Sequence, residues 1–248
     1  MTRSFQVILF DLGNTLVYDK YDDSAWETLY QRAEDALWTS LHAAGVEASG
    51  SDLYGRHETL FHYYYNLRKN DLDEPGMGNV LKRALSERGI TVSEGVLKAG
   101  LRSMYAVTQG SWHVEDDALE TVKTLHQRGF RLGVISNGAD DENTYVLLDK
   151  GGLRPYLDFI LSSAAFGRRK PDPGIFQAAL SYFKVAPGQT AMVGDTLEAD
   201  IGGANQLGIF SIWITRRAGE GQVPNEHIMR PDAQVERLSE VPALLTSS

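Results

Sequence analysis

The apolar positions fall into two textures along the chain. Phe5 to Phe10 is a short apolar run that stops at Asp11, the pattern of a buried strand. From Tyr18 to about Gly110 the apolar positions recur every three or four residues instead. Trp26, Leu29, Ala33, Leu37 and Leu41 predict a helix that ends near Gly45. Residues 54–67 are rich in aromatics. Two further helices are predicted, Asn79 to Arg88 closed by Gly89, and Ser93 to Val107 with Ser93 as N-cap. No stretch of this region reads as a convincing strand. After Gly110 the textures alternate. Helices are predicted over 116–127, 143–150, 174–183 and 199–207, and strands over 131–135, 159–161, 191–193 and 210–214. Short strands alternating with helices of about ten residues predict a parallel sheet with helices on both faces. The expectation is an α/β core over residues 1–16 and 111–248, interrupted after its first strand by an all-helical insert over 17–110.

Composition narrows the class. A chain of 248 residues fits one large domain or two unequal ones. With 42% hydrophobic and 23% charged residues it is an ordinary globular sequence, which excludes a disordered or low-complexity chain. There is no cysteine, so a disulfide framework, a thiolate nucleophile and a Cys-ligated zinc are excluded. The apolar run at the N-terminus is too short for a signal peptide, and no run of about 18 apolar residues is present. A soluble cytoplasmic protein that crosses no membrane is expected. The 24 basic and 33 acidic residues give a net charge of −9, with no basic stripe, so nucleic acid is not an expected partner. Such a field repels anions. A phosphate site in this chain has to work through local donors and a metal rather than long-range steering.

In an open parallel sheet, ligands bind beyond the carboxyl ends of the strands. Asp11-Leu12-Gly13-Asn14-Thr15 follows the first strand, and Ser136-Asn137-Gly138 follows the strand at 131–135. Lys170-Pro171-Asp172 comes shortly after the third, and Gly194-Asp195 with Asp200 after the fourth. Taken singly, each is an ordinary turn, cap or surface loop. In order, each behind its own strand, they assemble the parts of a phosphoryl-transfer site. Asp11 and Asp195 from different strand ends make a hard oxygen site that suits Mg²⁺. Lys170 neutralises a phosphoryl oxygen, while Ser136 and the amides of Asn137 and Gly138 donate hydrogen bonds to it. A carboxylate can attack phosphorus and form an aspartyl-phosphate.

These residues resemble the haloacid dehalogenase superfamily of hydrolases. Phe10 to Leu16 looks like the family's first motif, Val134 to Gly138 its second, Lys170 to Phe176 its third and Val193 to Gly208 its fourth. The helical insert takes the position of the family's cap. The resemblance implies a Rossmann-like core and a Mg²⁺-dependent phosphohydrolase acting on a small phosphorylated metabolite. It implies that Asp11 is the nucleophile and a metal ligand, that Gly13 offers its carbonyl to the metal, and that Asp195 is the second carboxylate ligand. Asp200 would support the metal, and Ser136 and Lys170 would hold the phosphoryl group.

The chain departs from the pattern at one position. Phosphatases of the family carry a second Asp two residues after the nucleophile as general acid and base, and here that residue is Gly13. General acid–base help is worth typically ~10²–10⁴-fold, so its loss slows an enzyme without silencing it. Asp19, Asp22 and Asp23 are candidate substitutes. Two alternatives follow: a non-catalytic phospho-ligand-binding relative that lost turnover, or a phosphonate hydrolase using a cap lysine (Lys69, Lys82 or Lys98). Dehalogenases of the family also lack that Asp, but they lose the acidic fourth motif, which this chain keeps. His57 and His62 are five apart and do not share a helix face, so they are not read as a zinc site. Phe61 to Tyr65 reads as packing between cap helices, and Arg216 and Arg217 as a solvated loop.

Overall fold

The computed structural model describes residues 4–20, 25–56, 58–69, 71–219, 221–224 and 229–245. They form two compact units, Met1–Asp19 with His113–Ser248, and Lys20–Trp112. The first unit is built on a six-stranded sheet. Its strands are β1 (Val7–Phe10), β4 (Arg131–Ser136), β5 (Phe159–Ser162), β6 (Thr190–Gly194), β7 (Phe210–Ile214) and β8 (Ala233–Val235), in the spatial order β5-β4-β1-β6-β7-β8. Every neighbouring pair is parallel. β1 lies between β4 and β6, and its last residue, Phe10, is level with Val134 on one side and Val193 on the other. The residues after these three strands therefore emerge side by side at one edge.

All four residues of β1 are buried, as an interior parallel strand requires. Val7 and Leu9 pack with Ile135 and Met192 against Ile175, Phe176 and Ala179 of α9 (Pro173–Phe183) and Ala204 of α10 (Gly203–Leu207). Ile8 and Phe10 point to the opposite face by the two-residue period of a strand and are also fully covered. On the β4 side, α6 (Ala118–Gln127) packs against the sheet. Fully burying one such side chain contributes about 1.5–3 kcal/mol. Local signals start the helices. Asp140 accepts from the Asn143 amide at the head of α7 (Asp141–Lys150), and Asp172 accepts from Gly174 before Pro173 opens α9.

The second unit consists of α1 (Trp26–Ala43), α2 (Gly50–Leu53), α3 (Leu60–Leu67), α4 (Met77–Glu87) and α5 (Glu94–Thr108). Ser93 caps α5 through the Val96 amide, as its position suggested. α1 and α5 pack along their apolar stripes, with Gly100 set close against Leu37 and Leu41. A buried carboxylate, Glu34, ties α1 to the following segment by accepting from Trp38 Nε1, Tyr54 Oη and the Leu60 amide. Of the aromatic run, Phe61 and Tyr64 are buried and Phe61 stacks on Tyr30 at 4.5 Å, which is packing; Tyr65 is exposed.

The elements differ from expectation in three places. Val17–Asp19 (β2) and Trp112–Val114 (β3) pair as a separate two-stranded sheet, so the stretch expected to be helical from residue 17 begins with a strand. Both strands are three residues long, too short to display a period. β8 was missed for the same reason. Residues Leu197–Gly202 form a wide π turn before α10, where an ordinary helix was expected from residue 199. None of the described helices is long and apolar enough to cross a membrane.

Candidate active site

The carboxyl edge of the sheet brings four of the anticipated side chains together. Asp11 leaves β1 directly, with its amide held by the Val193 carbonyl. Asp195 follows β6, and Asp200 lies in the π turn beyond it. One carboxylate oxygen from each of the three lies within 4.8 Å of the others. Lys170 comes from the loop between α8 (Ser163–Phe166) and α9 and is 2% exposed. Its ammonium donates to Asp11 Oδ1 at 2.6 Å, to Asp200 Oδ1 at 2.7 Å and to the Ile135 carbonyl at 2.8 Å. An ammonium has three donors, and all three are engaged. To meet a phosphoryl oxygen, Lys170 has to share or exchange one of these bonds.

Ser136 ends β4 one residue beyond the level of Asp11 and is buried at the same edge. The Asn137 side chain binds the backbone of Lys170. Its side-chain nitrogen donates to the Lys170 carbonyl at 3.0 Å, and its side-chain oxygen accepts from the Lys170 amide at 2.8 Å. That side chain is committed to the lysine loop; its contribution to a substrate would come from its backbone amide. Gly13 lies in the tight loop after Asp11, bridged to Val17, and Asn14 beside it takes a left-handed φ of 55°.

The loop carrying Asp195 is tied down by residues that carry no motif. Trp213 Nε1 and the Gln222 side-chain nitrogen both donate to the Asp195 carbonyl, at 2.9 and 3.2 Å. The Gln222 oxygen accepts from the Leu197 amide at 2.6 Å. Asp200 in turn accepts from the Thr196 amide at 3.0 Å, a bond across the π turn. The buried Trp213 at the end of an apolar strand was a visible signal. Gln222, in a polar loop without periodicity, had none.

Burial dominates the electrostatics. It raises the Asp11 carboxyl to about 6; the Lys170 ammonium pulls down and Asp200 pushes up. Burial, then the neighbouring charges of Asp11 and Asp200, raises Asp195 to about 8. Burial alone would lower Lys170, but the two carboxylates beside it outweigh this and hold its proton firmly. Three carboxylates against one ammonium leave two negative charges when all are ionised. That set of hard oxygen ligands fits one divalent cation such as Mg²⁺.

Other candidates lie elsewhere. Arg216 pairs with Glu115 and Asp116, and Arg217 pairs with Glu115 while its guanidinium lies 3.3 Å from the centre of the Tyr18 ring. Both arginines are thus held in ion pairs on a partly exposed loop. Lys69, Lys82 and Lys98 are all exposed, and Lys82 pairs with Glu94. His62 faces Glu27 at 3.5 Å and Glu58 at 3.8 Å. His57, Asp22 and Asp23 lie outside the described residues, and Asp19 ends β2, half-buried.

A parallel sheet whose edge gathers buried carboxylates and a lysine behind successive strands defines a hydrolase class, and the comparisons identify it. The family model of haloacid dehalogenase-like hydrolases matches residues 5–208. The chain belongs to this family. Haloacid dehalogenase-like hydrolase domain-containing protein 3 of Bos taurus is 36% identical over 124 residues, covering 48% of this chain and 49% of that protein. The phosphoserine phosphatase of Thermus thermophilus is 36% identical over 115 residues, covering 46% of this chain and 44% of that protein. The chain thus spans about half the length of the curated relatives it matches. Among solved structures, a 2-haloacid dehalogenase from Pseudomonas syringae is 26% identical, with a TM-score of 0.65 and 97% of each chain covered.

Proposed function

We propose that this chain is a Mg²⁺-dependent phosphohydrolase that acts on a small phosphorylated metabolite through a phospho-Asp11 intermediate. Residues 17–110 serve as its cap and supply substrate selectivity. The observation that carries the reading is the buried Lys170 ammonium bonded to both Asp11 and Asp200, within the cluster that also contains Asp195. A dehalogenase needs one attacking carboxylate; three buried carboxylates gathered around a lysine suit a cation and a phosphoryl group. The phosphatase named among the relatives supports the same reaction class.

Asp11, Asp195 and the Gly13 carbonyl would hold the metal, with Asp200 supporting it. Bound there, Mg²⁺ supplies positive charge that offsets the phosphoryl oxygens and lets the carboxylates ionise together. The Asp11 carboxylate is the nucleophile, aligned by β1 and by the Lys170 bond to its Oδ1. Lys170 neutralises charge on the phosphoryl group, Ser136 donates to it, and Asn137 keeps the lysine loop in place. Catalysis of this kind rests on positioning and charge neutralisation.

The test is hydrolysis of an aryl phosphate with and without Mg²⁺ by the wild type and by Asp11→Asn. The wild type turns over only with the metal, and the variant does not. Equal rates in the two proteins would remove the proposal.

A further inference from the structure

The segment that leaves β7 touches both of the loops that carry the expected metal ligands. At one end, Arg217 pairs through Nε with the buried Glu115, and its guanidinium lies 3.3 Å from the centre of the Tyr18 ring. Arg216 pairs with the other Glu115 oxygen at 3.0 Å. Glu115 and Tyr18 are in turn fixed to the turn behind Asp11. The Glu115 amide donates to the Leu16 carbonyl at 3.0 Å. Tyr18 follows Val17, which is bridged to Gly13 and whose amide donates to the Leu12 carbonyl at 3.0 Å. The Leu16 amide donates to the same carbonyl at 2.9 Å. Arg217 thus grips, through two contacts, the turn that presents Asp11 and Gly13. Further along the same segment, Gln222 donates to the Asp195 carbonyl and accepts from the Leu197 amide. A buried carboxylate depends on its partners, and a guanidinium stacked on a ring has its plane fixed. The grip at Arg217 is therefore stiffer than an exposed ion pair, which is worth only about 0–1 kcal/mol.

Resting on the phosphohydrolase reading above, we infer that the segment after β7 is a strut that sets the spacing between the Asp11 turn and the Asp195 loop, with Arg217 as the positioning residue at its Asp11 end. Arg217 acts through Glu115 and Tyr18, and Gln222 acts through the Asp195 backbone. The spacing matters because of the cation it serves. Mg²⁺ demands near-ideal octahedral geometry at about 2.0–2.1 Å, whereas Ca²⁺ accepts flexible arrangements of oxygens at about 2.3–2.6 Å. Two ligand-bearing loops held at one separation favour the smaller, stricter ion. Loosening the strut costs Mg²⁺ more than it costs Ca²⁺.

The experiment is calorimetric titration of the full chain with Mg²⁺ and, separately, with Ca²⁺. It compares the wild type with Asp195→Asn, Arg217→Ala, Arg217→Lys, Gln222→Ala and the double variant Arg217→Ala/Gln222→Ala. In Arg217→Ala the buried Glu115 keeps Arg216 as its partner, so the fold is retained. Arg217→Lys keeps the charge and loses the stacked plane. Arg217→Ala should weaken Mg²⁺ binding by about 10–100-fold and Ca²⁺ binding by less than about threefold. Arg217→Lys should recover part of the difference. The double variant should lose little more than the worse single variant, because a strut cut at one end transmits nothing from the other. Unchanged Mg²⁺ affinity in Arg217→Ala, equal losses for the two ions, or single losses that multiply in the double variant would each overturn the inference. The phosphohydrolase reading survives those results as long as Asp195→Asn abolishes Mg²⁺ binding. A wild type that takes up no Mg²⁺, or an Asp195→Asn that binds it unchanged, overturns both. If Arg217→Ala does not fold, the ratio of the two affinities is read on Arg217→Lys, where a value equal to that of the wild type overturns the inference.

Discussion

Asp200 occupies the space that a side chain at position 194 would need: a Cβ built on Gly194 would stand 2.3 Å from Asp200 Cγ. The glycine is required by the carboxylate that turns back over it onto the Thr196 amide. Gly194→Ala should displace Asp200 from Lys170 and cost about 1–3 kcal/mol, the range for overpacking a dense interior. Urea unfolding would read the stability loss, and a Mg²⁺ titration should show a weaker midpoint. Unchanged values for both would mean that the π turn yields without consequence.

Asn137 holds Lys170 by its backbone, not by its ammonium. Asn137→Ala removes a donor and an acceptor at once and should cost about 1–3 kcal/mol through the backbone groups left unpaired. With the lysine loop slack, kcat for an aryl phosphate should fall by up to about 10²-fold. Asn137→Asp keeps the acceptor for the Lys170 amide and loses the donor, so it should fall between the two.

The raised carboxyls make the metal-free protein sensitive to pH. Burial lifts Asp11 to about 6 and Asp195 to about 8, both above the ordinary value of 3.8. The protonated forms therefore favour folding. Their contribution is whole below the unfolded value and is lost as pH rises through about 6 and then about 8. A divalent ion binds the ionised carboxylates and offsets that loss. Thermal unfolding of the wild type relative to Asp195→Asn should show a relative stability that falls over this window without metal. The Mg²⁺-induced rise in Tm should grow over the same window. A rise in Tm independent of pH would argue against these carboxylates as the metal site.

Gln222 and Trp213 hold the carbonyl of Asp195 while leaving its carboxylate free for other work. Gln222→Ala should weaken Mg²⁺ binding by about 10–100-fold, the usual effect of losing a group that orients a ligand. Its Tm should stay close to that of the wild type, because Gln222 belongs to a surface loop and not to the core. Titration calorimetry measures the affinity directly. Gln222→Glu, which keeps the acceptor for the Leu197 amide, should recover part of it.

The parts of this architecture that could be read in advance were those with a period or a strand in front of them. The apolar runs ending at Phe10, Ile135 and Val193 announced three interior strands, and Asp11 and Asp195, beyond two of them, are among the carboxylates that meet. What stayed hidden had no side-chain signature. The Ile135 carbonyl that takes the third Lys170 bond is backbone, and any residue there would have looked the same. Residues 197–202 carry the spacing of an ordinary helix, and the wide turn is imposed by Asp200 folding back over Gly194. Asn137 looked like one more turn residue, because a side chain binding a backbone 33 positions away leaves no mark on local spacing. β2, β3 and β8 are each three residues long and cannot display alternation.

The placement of β1 also dictates an order of assembly. Val7 pairs with Arg131 on one side and Thr190 on the other, so β1 is flanked by two strands that come much later in the chain. Closing loops of that span is slow, and until β6 exists one edge of β1 keeps unpaired amides and carbonyls exposed. A chain cut short before Thr190 would hold Asp11 at the end of an open, apolar ribbon prone to self-association. The buried acidic cluster thus acquires its setting only once β6 and the turn beyond it have joined β1, because Asp195 and Asp200 lie past Thr190.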